Sequence, residues 1–262
     1  MGNRGAMLGC GVLVAILSAF GWGIAQAASC MGLPTEAQLK VFLNNAATNV
    51  GVPTSLGGGN CVAGAVSGTG CVGGLFGGTR MWGTVVDRDG TLCTFVTSTS
   101  DPSQTWPGSQ AISKAKAYTA NAFSLDILAL STAMLYTFSQ PGHSLYGLNQ
   151  SNPFAADLLA GPGGLGGGKG QIAGGIITFG GGVPLYNGAG RVVGGLGVSG
   201  DTACADHEIA KRARDLATMN PPGGATADDI TYTGPSEFLH PHCNNTVQNG
   251  VSLGNETKAT AY

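Results

Sequence analysis

Between Arg191 and Gly200 the chain reads Arg-Val-Val-Gly-Gly-Leu-Gly-Val-Ser-Gly, a β-prone run in which every second or third residue lacks a side chain. A strand built this way lets a helix, or a ligand, approach its backbone closely. Gly180 to Leu185 comes shortly before it and a helical pattern from Thr202 to Ala217 follows, so the segment reads as a glycine-rich hairpin running into a helix. The expected hairpin pairs Gln171–Phe179 with Arg191–Val198 across Pro184-Leu-Tyr-Asn-Gly. Gly195-Leu-Gly-Val-Ser-Gly200 also fits the dinucleotide pattern G-x-G-x-x-G. That reading fails because the helix is followed by Met219-Asn-Pro-Pro-Gly, not by the further strand that a nucleotide-binding unit needs. The stretch from Gly163 to Lys169 imitates a P-loop, but Gly170 stands where a magnesium-holding Ser or Thr belongs.

Upstream, Thr35 caps a helix expected to run to about Asn49, with Leu39, Val41, Phe42, Leu43 and Ala46 on its apolar side. Residues 51–79 are glycine-rich and read as an irregular insertion. Met81–Val86 and Thr91–Val96 are β-rich runs joined by Asp87-Arg-Asp-Gly90, strong hairpin chemistry. A helix is expected from Ser109 to Phe123 and a second, apolar one from Leu125 to Phe138, then loop to Gly170. The last helix has Asp201 or Thr202 as its cap and Asp206 and Glu208 in its first turn. Beyond Asn220 the polar, proline-containing tail reads as an extended wrap or a partly disordered segment, apart from Cys243. This order predicts an α+β domain, an antiparallel sheet of four to five strands packed by helices, over residues 28–220 with the insertion at 51–79, followed by a tail at 221–262.

The first 27 residues carry Arg4, an apolar run from Ala6 to Phe20 and Ala25-Gln-Ala27, the layout of a cleaved secretory signal. The chain is therefore expected in the periplasm or outside the cell, with no membrane span left after cleavage. Six cysteines then remain, Cys30, Cys61, Cys71, Cys93, Cys204 and Cys243, enough for three disulfides in an oxidising compartment. Cys61 and Cys71 are expected to close a small loop, and Cys243 to tie the tail down, with Cys204 a candidate partner. No Cys-x-x-Cys pair is present, which excludes covalent c-type haem and a zinc knuckle. Charged residues make up only 10% of the chain, and eleven basic residues face fourteen acidic ones once Arg4 is removed. With no basic run among aromatics, nucleic acid is not an expected partner. So few charges favour a homo-oligomer.

Several of these segments, taken in order, resemble the GlcG/HbpS-like haem-binding family. Ser109, Lys116, Ala117, Thr119, Ala120 and Phe123 fit its first helix, Leu145-Tyr-Gly-Leu148 with Ser151-Asn152 follows, then Gly181–Leu185, Val192–Gly200 and Asp206. The resemblance spans most of residues 81–217. It implies an exported, haem-binding, commonly homo-oligomeric domain with an antiparallel sheet flanked by helices. The 51–79 insertion, the 161–170 loop and the tail lie outside the compact family core.

A haem needs an apolar slot, an axial donor and partners for its propionates. His143 and His207 lead as iron ligands because both adjoin segments of the resemblance; His240 and His242, next to Cys243, come second. Lys116 and Lys114 are candidate propionate partners, each also readable as part of a solvated helix face. Thr119 and Tyr146 are further candidate contacts, and Gly200 marks a helix start whose amides would suit an anion. Tyr118, Phe123 and Met134 could line a slot, with core packing the simpler reading. No Gly-x-Ser-x-Gly elbow, His-Glu-x-x-His or nucleophile–base pair is present. Asp206 and His207 diverge by about 100° on a helix and form no dyad. The leading expectation is thus an exported non-covalent haem-binding protein for storage, delivery or redox sensing. An accessory subunit or enzyme of a small-molecule oxidation pathway, and a self-assembling structural protein with a vestigial pocket, are the alternatives.

Overall fold

The computed structural model describes Gly2 and residues 30–256, apart from residues 60, 62–64, 69, 160–164 and 235. The expected signal segment, residues 1–27, lies outside the described residues apart from Gly2. The described chain orders as α1 (Glu36–Thr48), β1 (Trp82–Asp87), β2 (Leu92–Thr97), α2 (Ser109–Phe123), β3 (Gly182–Tyr186), β4 (Val192–Ser199), α3 (Ala203–Leu216), β5 (Thr246–Gln248) and β6 (Val251–Gly254). The first four strands form one antiparallel sheet in the order β2-β1-β4-β3, and β5 and β6 form a small hairpin of their own. This is the expected α+β architecture, with four strands in the main sheet. No described helix is long and apolar enough to cross a membrane.

The alternation of side chains along the strands assigns the layers. Val85, Val183, Leu185, Leu196 and Val198 point to one face, where they pack with Leu39 and Leu43 of α1 and Ile209, Ala210 and Ala213 of α3. On the other face Gly195 and Gly197 meet α2. A Cβ at Gly197 would stand 1.9 Å from the Ser113 carbonyl oxygen, and one at Gly195 2.2 Å from that of Ala117. The glycine run therefore exists because α2 crosses β4 at backbone distance. Thr84, on the same face of β1, meets the Ser113 hydroxyl at 2.9 Å.

Local chemistry explains where the elements begin and stop. Thr35 and Gln38 form a reciprocal capping box on α1, and Asn49 ends it in the left-handed region at φ 62°. The Asp87 carboxylate accepts from the amides of Asp89 and Thr91 and so shapes the β1–β2 turn. Pro184, which has no N–H to give, is tolerated because β3 is an edge strand.

Two expectations are corrected. Residues 125–138 are not a helix: Leu125 and Leu128 pair backbone to backbone in a tight turn, and only 3₁₀ turns follow at Thr132–Leu135 and Thr137–Ser139. The hydroxyls there bond elsewhere. Ser124 holds both the N–H and the carbonyl of Leu130, Ser131 donates to the Asp228 carbonyl, and Thr137 donates to that of Leu239. Gln171–Phe179 is not the hairpin partner either. Gly174 and Gly175 adopt φ of +67° and +79°, which breaks the strand, and β3 begins only at Gly182. The turn is Asn187–Gly190, closed by the Asn187 side chain accepting from Ala189 and Arg191.

Three disulfides join Cys30 to Cys93, Cys61 to Cys71 and Cys204 to Cys243; the second and third are those anticipated. The last pins the segment after Asn220 as a strap over α3. Asp228, Leu239, His240, Thr246 and Val247 of that strap are buried, so it belongs to the body of the fold.

Candidate functional site

Helix α3 would ordinarily show water one polar face. Here the strap and residues 70–78 cover that face, and Asp206, His207, Glu208, Lys211, Arg212 and Arg214 are all buried. Buried charges persist when each finds a partner. Lys211 reaches Glu208 at 2.7 Å, Asp229 at 2.8 Å and the Asn249 side chain at 2.9 Å. Arg214 holds both oxygens of Asp228 at 2.8 and 2.6 Å, and Arg212 donates to the carbonyls of Ala46 and Gly70. These contacts tie α3 to the strap, to α1 and to the insertion. Sequence reasoning missed them; the available signal was a helix with charges on every side and so no solvent face.

Lys116 belongs to the same cluster and is not a solvated lysine. It leaves α2 fully buried and donates to Asp206 at 2.7 Å and to the Val198 carbonyl at 3.0 Å, with the Phe179 ring 4.9 Å away. Burial raises the Asp206 carboxyl to about 7 against the pull of Lys116, and burial lowers the Lys116 ammonium despite Asp206. Gly181 makes room for the pair, since a Cβ there would lie 2.6 Å from the Lys116 Nζ. Thr119 is equally internal: its hydroxyl donates to the Ala115 carbonyl at 2.7 Å and accepts from the Ile177 amide at 3.0 Å.

The anion cradle expected at Gly200 is filled by the chain itself. The amide of Asp201 donates to Asp206 at 2.9 Å, that of Thr202 to the Asp201 carboxylate at 2.7 Å, and that of Ala205 to the Thr202 hydroxyl at 3.3 Å. The Cys204 amide meets the Cys243 sulfur at 3.1 Å. Gly200 itself packs against the Arg80 carbonyl, which a Cβ would approach to 1.9 Å.

The histidines separate by depth. His207 is fully buried; neither ring nitrogen has a hydrogen-bond partner, and Asp229 lies 3.6 Å from Nε2. Burial works to raise Asp229, but His207 and Lys211 outweigh it and hold that carboxyl well below the usual range. His240 has both nitrogens engaged, Nδ1 with the Pro241 carbonyl at 2.8 Å and Nε2 with the Gly180 amide at 3.3 Å. Burial lowers its pKa to about 4, so it is neutral at pH 7. His242 is half-buried with its ring edge-on to Tyr232 at 4.8 Å. His143 is half-buried like His242, but lies on a run of turns between Gln140 and Ser151, where Tyr146 is 68% exposed and Leu145 and Leu148 are partly so. Of the predicted site residues, then, Lys116, Gly200 and His207 adjoin one buried cluster and Thr119 is buried on α2, while His143 and Tyr146 share an open loop.

Lys114, also on α2, points elsewhere, donating to the Leu158 carbonyl at 2.6 Å with the Phe95 ring 4.2 Å away; burial lowers its pKa to about 8.

Similarity to known proteins was found at two levels. The chain is similar to the Klebsiella pneumoniae protein ORFY (27% identity, 53% of this chain and 76% of that one, TM-score 0.39) and to the protein of a PduOC:heme complex (23%, 70% and 92%, TM-score 0.43). It is also similar to a double mutant of Streptomyces reticuli HbpS, at 21% identity over 53% of this chain and 72% of that one, with a TM-score of 0.33. No curated protein matches the chain. The family model HbpS-like, described as "Haem degrading protein HbpS-like", matches residues 75–215, from the end of the insertion through α3, more than half of the chain. This protein belongs to the HbpS-like family.

Proposed function

We propose that this protein is exported and binds haem reversibly and without a covalent link, on the open loop that carries His143. Family membership supports the ligand, and one observation supports the place: His143 stands on a loop whose neighbours Pro141, Gly142, Ser144 and Tyr146 are all exposed. Tyr146 and Leu145 beside it offer apolar contact to a macrocycle. The residues there, an imidazole beside an exposed tyrosine and a part-exposed leucine, would hold a haem at the surface better than in an enclosed slot. Bound haem would supply an iron that accepts a nitrogen donor and changes oxidation state. The His143 imidazole would give that donor, and the tight turns on either side of it fix where the ring can point. A surface seat of this kind suits storage or delivery, in which the ligand must leave again.

Export is supported by the signal-like first 27 residues and by three disulfides that take up all six remaining cysteines. Assembly into a homo-oligomer is supported by large apolar side chains left exposed on a charge-poor chain, Val251 at 62% and Trp106 at 49%.

Titration of the mature, disulfide-intact protein with haemin, followed at the Soret band, tests the reading. Saturation near one haem per chain is expected, with His143→Ala weakening binding at least tenfold and changing the band, and His207→Ala leaving it unchanged. Absence of saturable binding would overturn the proposal; a loss on His207→Ala alone would move the site to the buried cluster.

A further inference from the structure

Away from that loop, the turn at Leu125–Leu128 and the start of β4 enclose an open cleft of about 550 Å³. Its volume falls within the range of small-molecule sites. Leu125, Ile127 and Val193 give it an apolar wall, and Ile127 is 94% exposed and Leu125 54%. Two guanidiniums border that wall, Arg88 and Arg191, with Asp126 the one acid among the lining residues.

The charges are arranged, not scattered. Arg88 donates through Nη1 to both the backbone and the side-chain oxygen of Asn121 and through Nη2 to the Ser124 carbonyl at 3.1 Å, which anchors it over the C-terminal end of α2. Those bonds use three of its five N–H donors. Asp126 accepts from the Val192 amide at 2.9 Å with Oδ1, and its Oδ2 lies 3.4 Å from the Arg191 Nε. Both oxygens of the only acid are thus engaged, and Arg191 keeps its Nη groups for another partner. The lining carries one net positive charge beside exposed apolar surface, in a chain whose net charge is −2.

We infer that this cleft is a binding site for a small apolar carboxylate, an aromatic or medium-chain acid, independent of the haem site. The carboxylate engages the open N–H groups of Arg191 and Arg88 as a charge-assisted pair, and the apolar body covers Ile127, Leu125 and Val193. A neutral ligand of the same shape would leave the guanidiniums unanswered, so the cleft discriminates by charge as well as by shape.

Displacement of the anionic fluorophore 8-anilinonaphthalene-1-sulfonate tests this on the full mature chain. Decanoate is expected to displace the probe at least tenfold more effectively than decanol. Arg191→Ala and Ile127→Ser should each weaken decanoate binding at least fivefold, with the melting temperature unchanged because both side chains lie at the surface. Equal displacement by acid and alcohol, or indifference to both substitutions, would overturn the assignment. So would a change of oligomeric state on Ile127→Ser with decanoate binding intact, which would make this face a contact between copies. None of these readouts involves haem.

Discussion

The pair of Lys116 and Asp206 shows how much one residue's surroundings decide. On the helix in isolation Lys116 could reach water; in the fold its amine is closed in against Asp206 and the Val198 carbonyl. Breaking a buried pair by removing one partner leaves the other charge uncompensated, so Lys116→Met should destabilise the protein by about 3–5 kcal/mol. Lys116→Met combined with Asp206→Leu should recover much of that loss, and chemical denaturation of the two single variants and the double one measures the coupling. His240 gives a pH signature. Its folded pKa is about 4 against 6.5 unfolded, so the unfolded chain gains a proton that the folded chain does not as pH falls. Its contribution is complete above pH 6.5 and is lost toward pH 4, by about 3 kcal/mol. Asp206 runs oppositely: raised to about 7, its contribution is complete below pH 3.8 and is lost as pH rises through 7. The stability difference between wild type and His240→Gln isolates the histidine, and that difference should shrink by about 3 kcal/mol between pH 7 and pH 4.

Among the elements, α1, α2, α3 and the β1–β2 hairpin were legible because their signals are local: a capping threonine, helical spacing, and Asp-Gly in a turn. The failed helix at 125–138 and the misplaced third strand depended on partners far along the chain. Nothing local announces that the Ser131 hydroxyl will bond to Asp228 or that Gly174 and Gly175 will turn left-handed. The glycines of β4 were legible as a close approach, and the structure shows that the approaching group is α2. Gly197→Ala, whose Cβ would collide with the Ser113 backbone oxygen, should cost about 3 kcal/mol or fail to fold, as thermal melting and expression would report. The strap is held to α3 by the Arg214–Asp228 pair and by Cys204–Cys243, whose cysteines are 39 residues apart. Cys204→Ser with Cys243→Ser should lower stability by roughly 4 kcal/mol on the chain-entropy argument, and limited proteolysis should then cut first within residues 236–256.

At the scale of the whole molecule, the resemblance read from the sequence and the match over residues 75–215 agree on the family. The candidate site was less legible. Motifs and the segments beside them mark its six residues, and position along a motif says nothing of depth. Four of them prove internal: Lys116, Thr119 and Gly200 are closed in where α2, the sheet and α3 meet, and His207 lies against Asp229 of the strap. The cleft beside Ile127 escaped sequence reading for a related reason, since it exists only because residues 125–128 turn back instead of continuing as a helix. What an outside ligand meets on this protein is thus its loops. Hydrogen–deuterium exchange with and without haemin tests that view most directly. The account predicts new protection in residues 140–148 and none in α3 or the strap. Protection confined to α3 and residues 225–250, with 140–148 unchanged, would contradict it.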